Sequence, residues 1–175
     1  MISTSPGRPP GRAAWHDRGM DKPALRRELI ASLEAALATA RAAHAAAVEG
    51  STHEEARPEN DKDTRGLEQS YLARGQAQRV AELETAVAAT TALALRAFTD
   101  ATPIAMSALV TVEDSDLVQR YFIASHGGGT MLVGGVQVVT PSSLIGRALL
   151  GRRVGDEVEL RLPAKLRVIV ITDVA

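Results

Sequence analysis

Residues 53–63 read His-Glu-Glu-Ala-Arg-Pro-Glu-Asn-Asp-Lys-Asp, and five of these eleven are acidic: Glu54, Glu55, Glu59, Asp61 and Asp63. Arg57 and Lys62 are the only nearby full positive charges. Carboxylates gathered this closely repel one another unless salt or a cation offsets them. Their oxygens are the donors that a hard divalent cation takes. The bland alternative is a solvated loop whose charges serve solubility, with His53 as one more surface residue. A calcium loop fits badly. Asp61, Asp63 and Gly66 match its first, third and sixth positions, but Arg65 and Leu72 stand where ligands belong.

The acids lie between two segments with helical periodicity. Asp21 suits a helix cap and Pro23 a first turn. Leu25, Leu29, Leu33, Leu37, Ala40, His44 and Ala47 then recur every three or four residues, up to Gly50 and Ser51. A second stripe, Leu67, Tyr71, Gly75, Gln78, Leu83, Val87 and Thr90, flanked by Leu72 and Val80, predicts a helix from near Asp63 to about Phe98. Two such helices joined by a short loop make an antiparallel hairpin, a finger extending about 40–50 Å. The narrow Leu/Ala seam suits a two-helix coil, which puts the acidic stretch at its tip. Arg65, Arg74 and Arg79 on the second helix suit either phosphate contacts or surface pairs with Glu68 and Glu82.

After Thr102-Pro103 the pattern turns to strands. Residues 109–113 and 119–124 flank a polar turn and predict a hairpin. Residues 136–140 follow a Gly-rich loop, and 142–151 predict one short helix stopped by Gly151. Gly155-Asp156 marks a turn into 157–162. The apolar run 166–174 predicts a central strand buried on both faces. The fold class is therefore α+β: a long helical hairpin, then a small mixed domain, mostly strands with one helix.

Composition narrows the rest. The 175 residues carry a net charge of −1, which gives no basis for wholesale nucleic-acid binding by charge. Cysteine is absent, so thiolate chemistry is excluded, and a reducing cytoplasm is the expected setting. No apolar run reaches the ~20 residues of a membrane helix. Residues 1–19, rich in Pro, Gly and Arg, predict a disordered tail, with ordered patterning starting after Met20. The finger spans 20–100 and the second domain 103–175. His126-Gly-Gly-Gly resembles an oxyanion loop, but no Gly-x-Ser-x-Gly elbow accompanies it.

Residues 138–160, with Ser143-Leu-Ile-Gly-Arg-Ala-Leu-Leu-Gly151 and Val154-Gly-Asp-Glu-Val158, resemble the C-terminal domain of the Gre transcript-cleavage factors of bacterial RNA polymerase. Residues 67–84 are similar to the family's stretch after the tip. The resemblance implies an FKBP-like globular domain that docks on the polymerase, with Ser143, Leu144, Ile145 and Arg147 as docking candidates. It implies a finger inserted in the secondary channel, where tip acids help hold a second Mg²⁺ while the polymerase cleaves its own backtracked RNA. The factor itself would be no enzyme and would bind no cofactor stably. It would act as a cytoplasmic monomer and meet RNA only within the polymerase complex. Candidate tip acids are Glu55, Glu59, Asp61 and Asp63, and the shared Mg²⁺ falls to Glu59, Glu55 and Asp61. The family's Asp-x-x-Glu-Asn-Ala tip is altered: Glu59-Asn60 matches, but Ala56 stands at the Asp and Asp61 at the final Ala. The family's Ser-Pro is Ser143-Leu144 here. A non-cleaving channel regulator that competes with cleavage factors is the alternative. Two other classes stand further off. A prolyl isomerase needs an aromatic-lined pocket, and Tyr121 and Phe122 should face opposite sides of their strand. A structural coiled coil would self-associate.

Overall fold

The computed structural model describes residues 21–52, 65–114, 117–162 and 165–175. Two helices come first, α1 (Lys22–Thr52) and α2 (Arg65–Thr91). Six strands and one short helix follow: β1 (Leu109–Asp114), β2 (Leu117–Ile123), β3 (Met131–Leu132), β4 (Val136–Val139), α3 (Leu144–Leu149), β5 (Glu157–Leu162) and β6 (Lys165–Val174). The class is α+β, as the patterning predicts. The chain divides into two compact units. One comprises Glu28–Leu93; the other joins the start of α1, through Arg27, to Ala94–Ala175.

In α1 the Leu/Ala periodicity is realised. Leu25, Leu29, Leu33, Leu37, Ala40 and Ala47 are buried, and His44 is half-buried between the last two. The Leu25 amide donates to the Asp21 carbonyl at 3.0 Å, which starts the helix where the cap residue stands. Alanine, the strongest helix former, supplies 11 of the helix's 31 residues. The helix runs on through Gly50 and Ser51 to Thr52. Arg41 on α1 meets Glu84 on α2 at 2.7 Å. Both side chains are about half exposed, so the pair fixes register more than it stabilises, contributing roughly 0–1 kcal/mol.

The second helix keeps the C-terminal part of its predicted stripe, with Leu83 and Thr90 buried and Val87 half-buried, and departs from the rest. Tyr71 and Leu72 are 63% and 54% exposed, and Gly75 and Gln78 are also exposed. The inward line instead runs through Ala73, Gln76 and Val80, half-buried, to buried Leu83, Ala86 and Thr90. The helix also stops at Thr91, short of Phe98. Phe98 is drawn into the core of the sheet unit, and the chain leaves helical geometry to put it there. Ser107, itself buried at φ +69°, accepts the Arg96 N–H on its hydroxyl at 2.9 Å. The Lys22 ammonium lies 4.9 Å over the Phe98 ring and donates to the Arg96 carbonyl. Burial lowers the pKa of that lysine.

The sheet has the order β3-β4-β2-β1-β6-β5. The β1–β2 hairpin pairs Leu109 with Phe122 through Asp114 with Leu117. All pairings are antiparallel except β2–β4, so the sheet is mixed. One face carries the core: Val110, Val112, Tyr121, Ile123, Val158, Leu160, Ile169 and Ile171, closed by Leu149 of α3 and by Phe98 and Ile104. The predicted double burial of β6 does not hold. The strand is interior to the sheet, yet Ile169 and Ile171 are buried while Val168 and Leu166 are 43% and 56% exposed. With α3 and the core on one side only, the apolar run alternates like any half-covered strand.

This asymmetry sets a test. Ile171→Ala should cost about 2–5 kcal/mol in denaturant unfolding. Val168→Ala, on the same strand, should cost no more than about 0.5–1 kcal/mol. Equal losses would contradict one-sided burial.

Candidate functional site

The Ser143–Gly151 segment folds around one close approach. Ser143 caps α3: its hydroxyl accepts the Gly146 N–H at 3.0 Å and donates to the Thr140 carbonyl at 2.8 Å. A Cβ at Gly146 would lie 1.9 Å from that same carbonyl oxygen, so only glycine fits there. At the other end Gly151 takes a left-handed φ of +79°, and its N–H donates to Ile104 at 2.9 Å. The following turn is held by Asp156, whose carboxylate accepts the Arg153 N–H at 2.9 Å.

The four docking candidates come together on this helix, but in different roles. Leu144 is 41% exposed and points outward. Ile145 is half-buried against the core. Ser143 is committed to the cap. Arg147 donates to the Ser142 carbonyl at 2.5 Å and otherwise faces solvent. Leu144 and Ile145 border a cleft of about 350 Å³ whose other walls include Val139, Thr140, Leu160 and Arg167.

Arg167 is the site residue that the sequence reading missed. Its Nε donates to Asp114 at 2.7 Å and an Nη to Gln119 at 3.0 Å; the Tyr121 hydroxyl donates to the same Gln119 oxygen at 2.9 Å. Burial raises the Tyr121 pKa, the nearby Arg167 charge lowers it and Asp114 adds a smaller upward push. The phenol is therefore a neutral donor at physiological pH. The available signal was Arg167 itself, a charge set at an inward position of an apolar strand. Tyr121 and Phe122 do lie on opposite faces, as the register requires. Residues 126–129 form a turn with Gly127 and Gly129 at positive φ, in keeping with the turn reading.

Glu55, Glu59, Asp61 and Asp63 lie outside the described residues, as do His53, Ala56 and the tail 1–19. Among the described residues no group of three His, Asp or Glu side chains could hold a metal ion. Arg79 pairs with Glu82 at 3.6 Å on the α2 surface. No helix among the described residues is long and apolar enough to cross a membrane.

Gly146→Ala should therefore destabilise the sheet unit by about 2–4 kcal/mol, through overpacking against backbone. Ser143→Ala should cost about 0.5–2 kcal/mol through loss of the cap. Thermal or denaturant unfolding of the two variants measures both. A neutral Gly146→Ala would contradict the close approach.

Comparison with known proteins places this geometry. Residues 100–175 match the family described as transcription elongation factor GreA/GreB, C-terminal. Among solved structures, the chain is similar to the GreA factor homolog 1 of Thermus thermophilus, at 20% identity and a TM-score of 0.37, over 83% of this chain and 94% of that one. The corresponding Thermus aquaticus protein gives 23% identity and a TM-score of 0.37, over 82% and 91%. The GreA/GreB elongation factor of Nitrosomonas europaea gives 16% identity and 0.35, over 62% and 92%. No curated protein matches the chain. The Ser143–Gly146 cap, the Gly151 stop and the Asp156 turn all fall within residues 100–175, the stretch that matches the GreA/GreB C-terminal family.

Proposed function

We propose that this chain binds bacterial RNA polymerase, inserts its helical hairpin in the secondary channel and promotes cleavage of backtracked RNA by the polymerase. The observation that carries the reading is the family match over residues 100–175, joined to a preceding pair of long helices. Docking falls to the α3 region, where Leu144 offers an exposed apolar side chain beside a cleft and Arg147 a solvent-facing charge. Glu59, with Glu55 and Asp61, would hold a Mg²⁺ shared with the polymerase. Carboxylate oxygens suit that hard, octahedral ion, and two or three of them leave it incompletely ligated, so binding by the isolated chain is weak. When bound, the ion stabilises charge on the attacking and leaving oxygens of the phosphodiester. The chain supplies ligands and position, not a complete active site. It works as a monomer in the cytoplasm and meets RNA only within the complex.

A second reading is favoured by one residue. Ala56 stands where the family's first tip acid would be. A factor lacking that ligand would occupy the channel without supporting cleavage and would exclude cleavage factors.

Cleavage of RNA in stalled, backtracked polymerase complexes separates the two. Under the first reading, Glu59→Ala lowers Mg²⁺-dependent cleavage by about 10–100-fold or more, the range seen when a metal site loses one supporting group. Polymerase affinity stays nearly unchanged. A wild-type chain that binds polymerase and displaces a cleavage factor, yet yields no cleavage at any Mg²⁺ concentration, establishes the second reading. Under both, Leu144→Ser weakens polymerase binding by about tenfold, as expected for an apolar anchor, without lowering the unfolding midpoint. Unchanged affinity would remove α3 from the docking surface.

A further inference from the structure

The cleft beside α3 combines apolar walls with a fixed charge. Val139, Leu144, Ile145 and Leu160 supply most of the apolar lining, and the volume is about 350 Å³. That volume sits at the small end of the range for small-molecule sites, about 300–1,000 Å³. Arg167 is the one charged side chain among the described lining residues. Its Nε donates to Asp114 at 2.7 Å and its Nη2 to Gln119 at 3.0 Å. The Tyr121 hydroxyl fills the same Gln119 oxygen from a second direction, at 2.9 Å. The Arg167 and Asp114 side chains are only 18% and 23% exposed, so salt and water screen this pair little.

Two sets of donors are left over. Among the described residues, Arg167 Nη1 has no hydrogen-bond partner. Neither has the side-chain amide of half-buried Gln137, which lines the same cleft. The hydroxyls of the lining are committed instead. Ser143 bonds Gly146 and Thr140, and the Thr140 hydroxyl lies 3.1 Å from that of Ser142. Stability gives no reason for a charge in this wall, because a largely buried ion pair adds little against apolar packing.

These leftovers select the sign and size of an occupant. A guanidinium N–H bonds an ionised oxygen more strongly than a neutral one, and apolar walls strengthen such a bond. The fork is already ordered by Asp114 and Gln119, so binding pays little to fix it. One free nitrogen, on a group that shares its charge with Asp114, suits a single negative charge and not a polyanion. No carboxylate stands among the described lining residues to receive a cation. Another hollow, at the β5 margin, sets Arg147 and Arg152 among Glu157 and Glu159 and so favours neither sign.

We propose that this cleft binds a small monocarboxylate with a compact apolar body, its carboxylate on Arg167 Nη1 and the Gln137 amide and its body against Val139, Ile145 and Leu160. The inference does not rest on the polymerase reading, and its test needs no polymerase.

Nitrogen–proton correlation spectra of the full chain, titrated with 3-phenylpropanoate and separately with neutral 3-phenylpropanamide, read the outcome. The acid is expected to bind with a Kd of about 1 mM or tighter. It should shift the backbone signals of Gly128, Gly129, Ile145 and Leu160, and bind about tenfold more tightly than the amide. Arg167→Met brings the acid down to the affinity of the amide. Should that variant unfold through its stranded Asp114, Asp114→Asn decides. Loss of the competing carboxylate then tightens the acid by about threefold or more and leaves the amide unchanged. Equal affinities of acid and amide in the unmodified chain overturn the proposal. So do an absence of shifts up to about 20 mM acid, some twentyfold above the expected Kd, and shifts centred on Arg147 and Arg152 instead of the cleft. An acid affinity that neither variant changes overturns the role of Arg167.

Discussion

The α3 helix seats on the sheet only because position 146 has no side chain. At 1.9 Å from the Thr140 oxygen, a methyl group would push the helix off the end of β4. Everything nearby depends on that seating. It lets one hydroxyl, that of Ser143, bond both Thr140 and Gly146. It carries Leu149 fully into the core and brings Gly151 to Ile104, which ties the linker before β1 to the helix end. Leu144 is left outside as a consequence. A six-residue helix cannot hold itself together in water, so tertiary fit supplies what propensity does not. The same contact that stabilises the domain fixes which side chain it presents.

The Arg167 network follows a different logic. Asp114 and Gln119 accept from a guanidinium that an apolar strand would otherwise bury alone, and the Tyr121 hydroxyl donates to the same Gln119 oxygen. Such a pair adds little net stability against a well-packed apolar substitute, whereas loss of one partner is expensive. Its position in the cleft wall, next to apolar Leu160 and Ile145, adds a charged group to a lining that also holds Gln137, Thr140 and Ser143. That feature distinguishes this cleft from the aromatic-lined pocket an isomerase needs.

Much of the architecture was legible because local chemistry and tertiary fit agree. The α1 stripe, the β1–β2 hairpin and the Gly151 stop each combine a propensity with a burial pattern. The misses arise where they conflict. Phe98 continues the apolar periodicity of α2, but the sheet core competes for it and wins, so the helix stops at Thr91. Tyr71 falls on the three-to-four-residue spacing of the α2 stripe, yet it is exposed, because spacing alone does not say where along a helix the covered face begins. The run in β6 is apolar at both parities, so its composition gives no sign of which face is covered. Arg167 pairs with residues 48 and 53 positions away, a distance over which no periodicity speaks.

The two halves of the proposed activity rest on different residues. The family match lies wholly within 100–175, whereas the acids that would serve a metal lie within 53–64, between α1 and α2. No residue is common to both. The helices that flank the acidic stretch are held by alanine propensity and a narrow seam, neither of which requires a particular side chain between Thr52 and Arg65. Substitutions such as Ala for the first tip acid therefore carry little cost in folding. Selection on chemistry can act there while residues 100–175 stay the same. A match over residues 100–175 therefore says little about what those acids do, since function of this kind resides in the site and not in the fold.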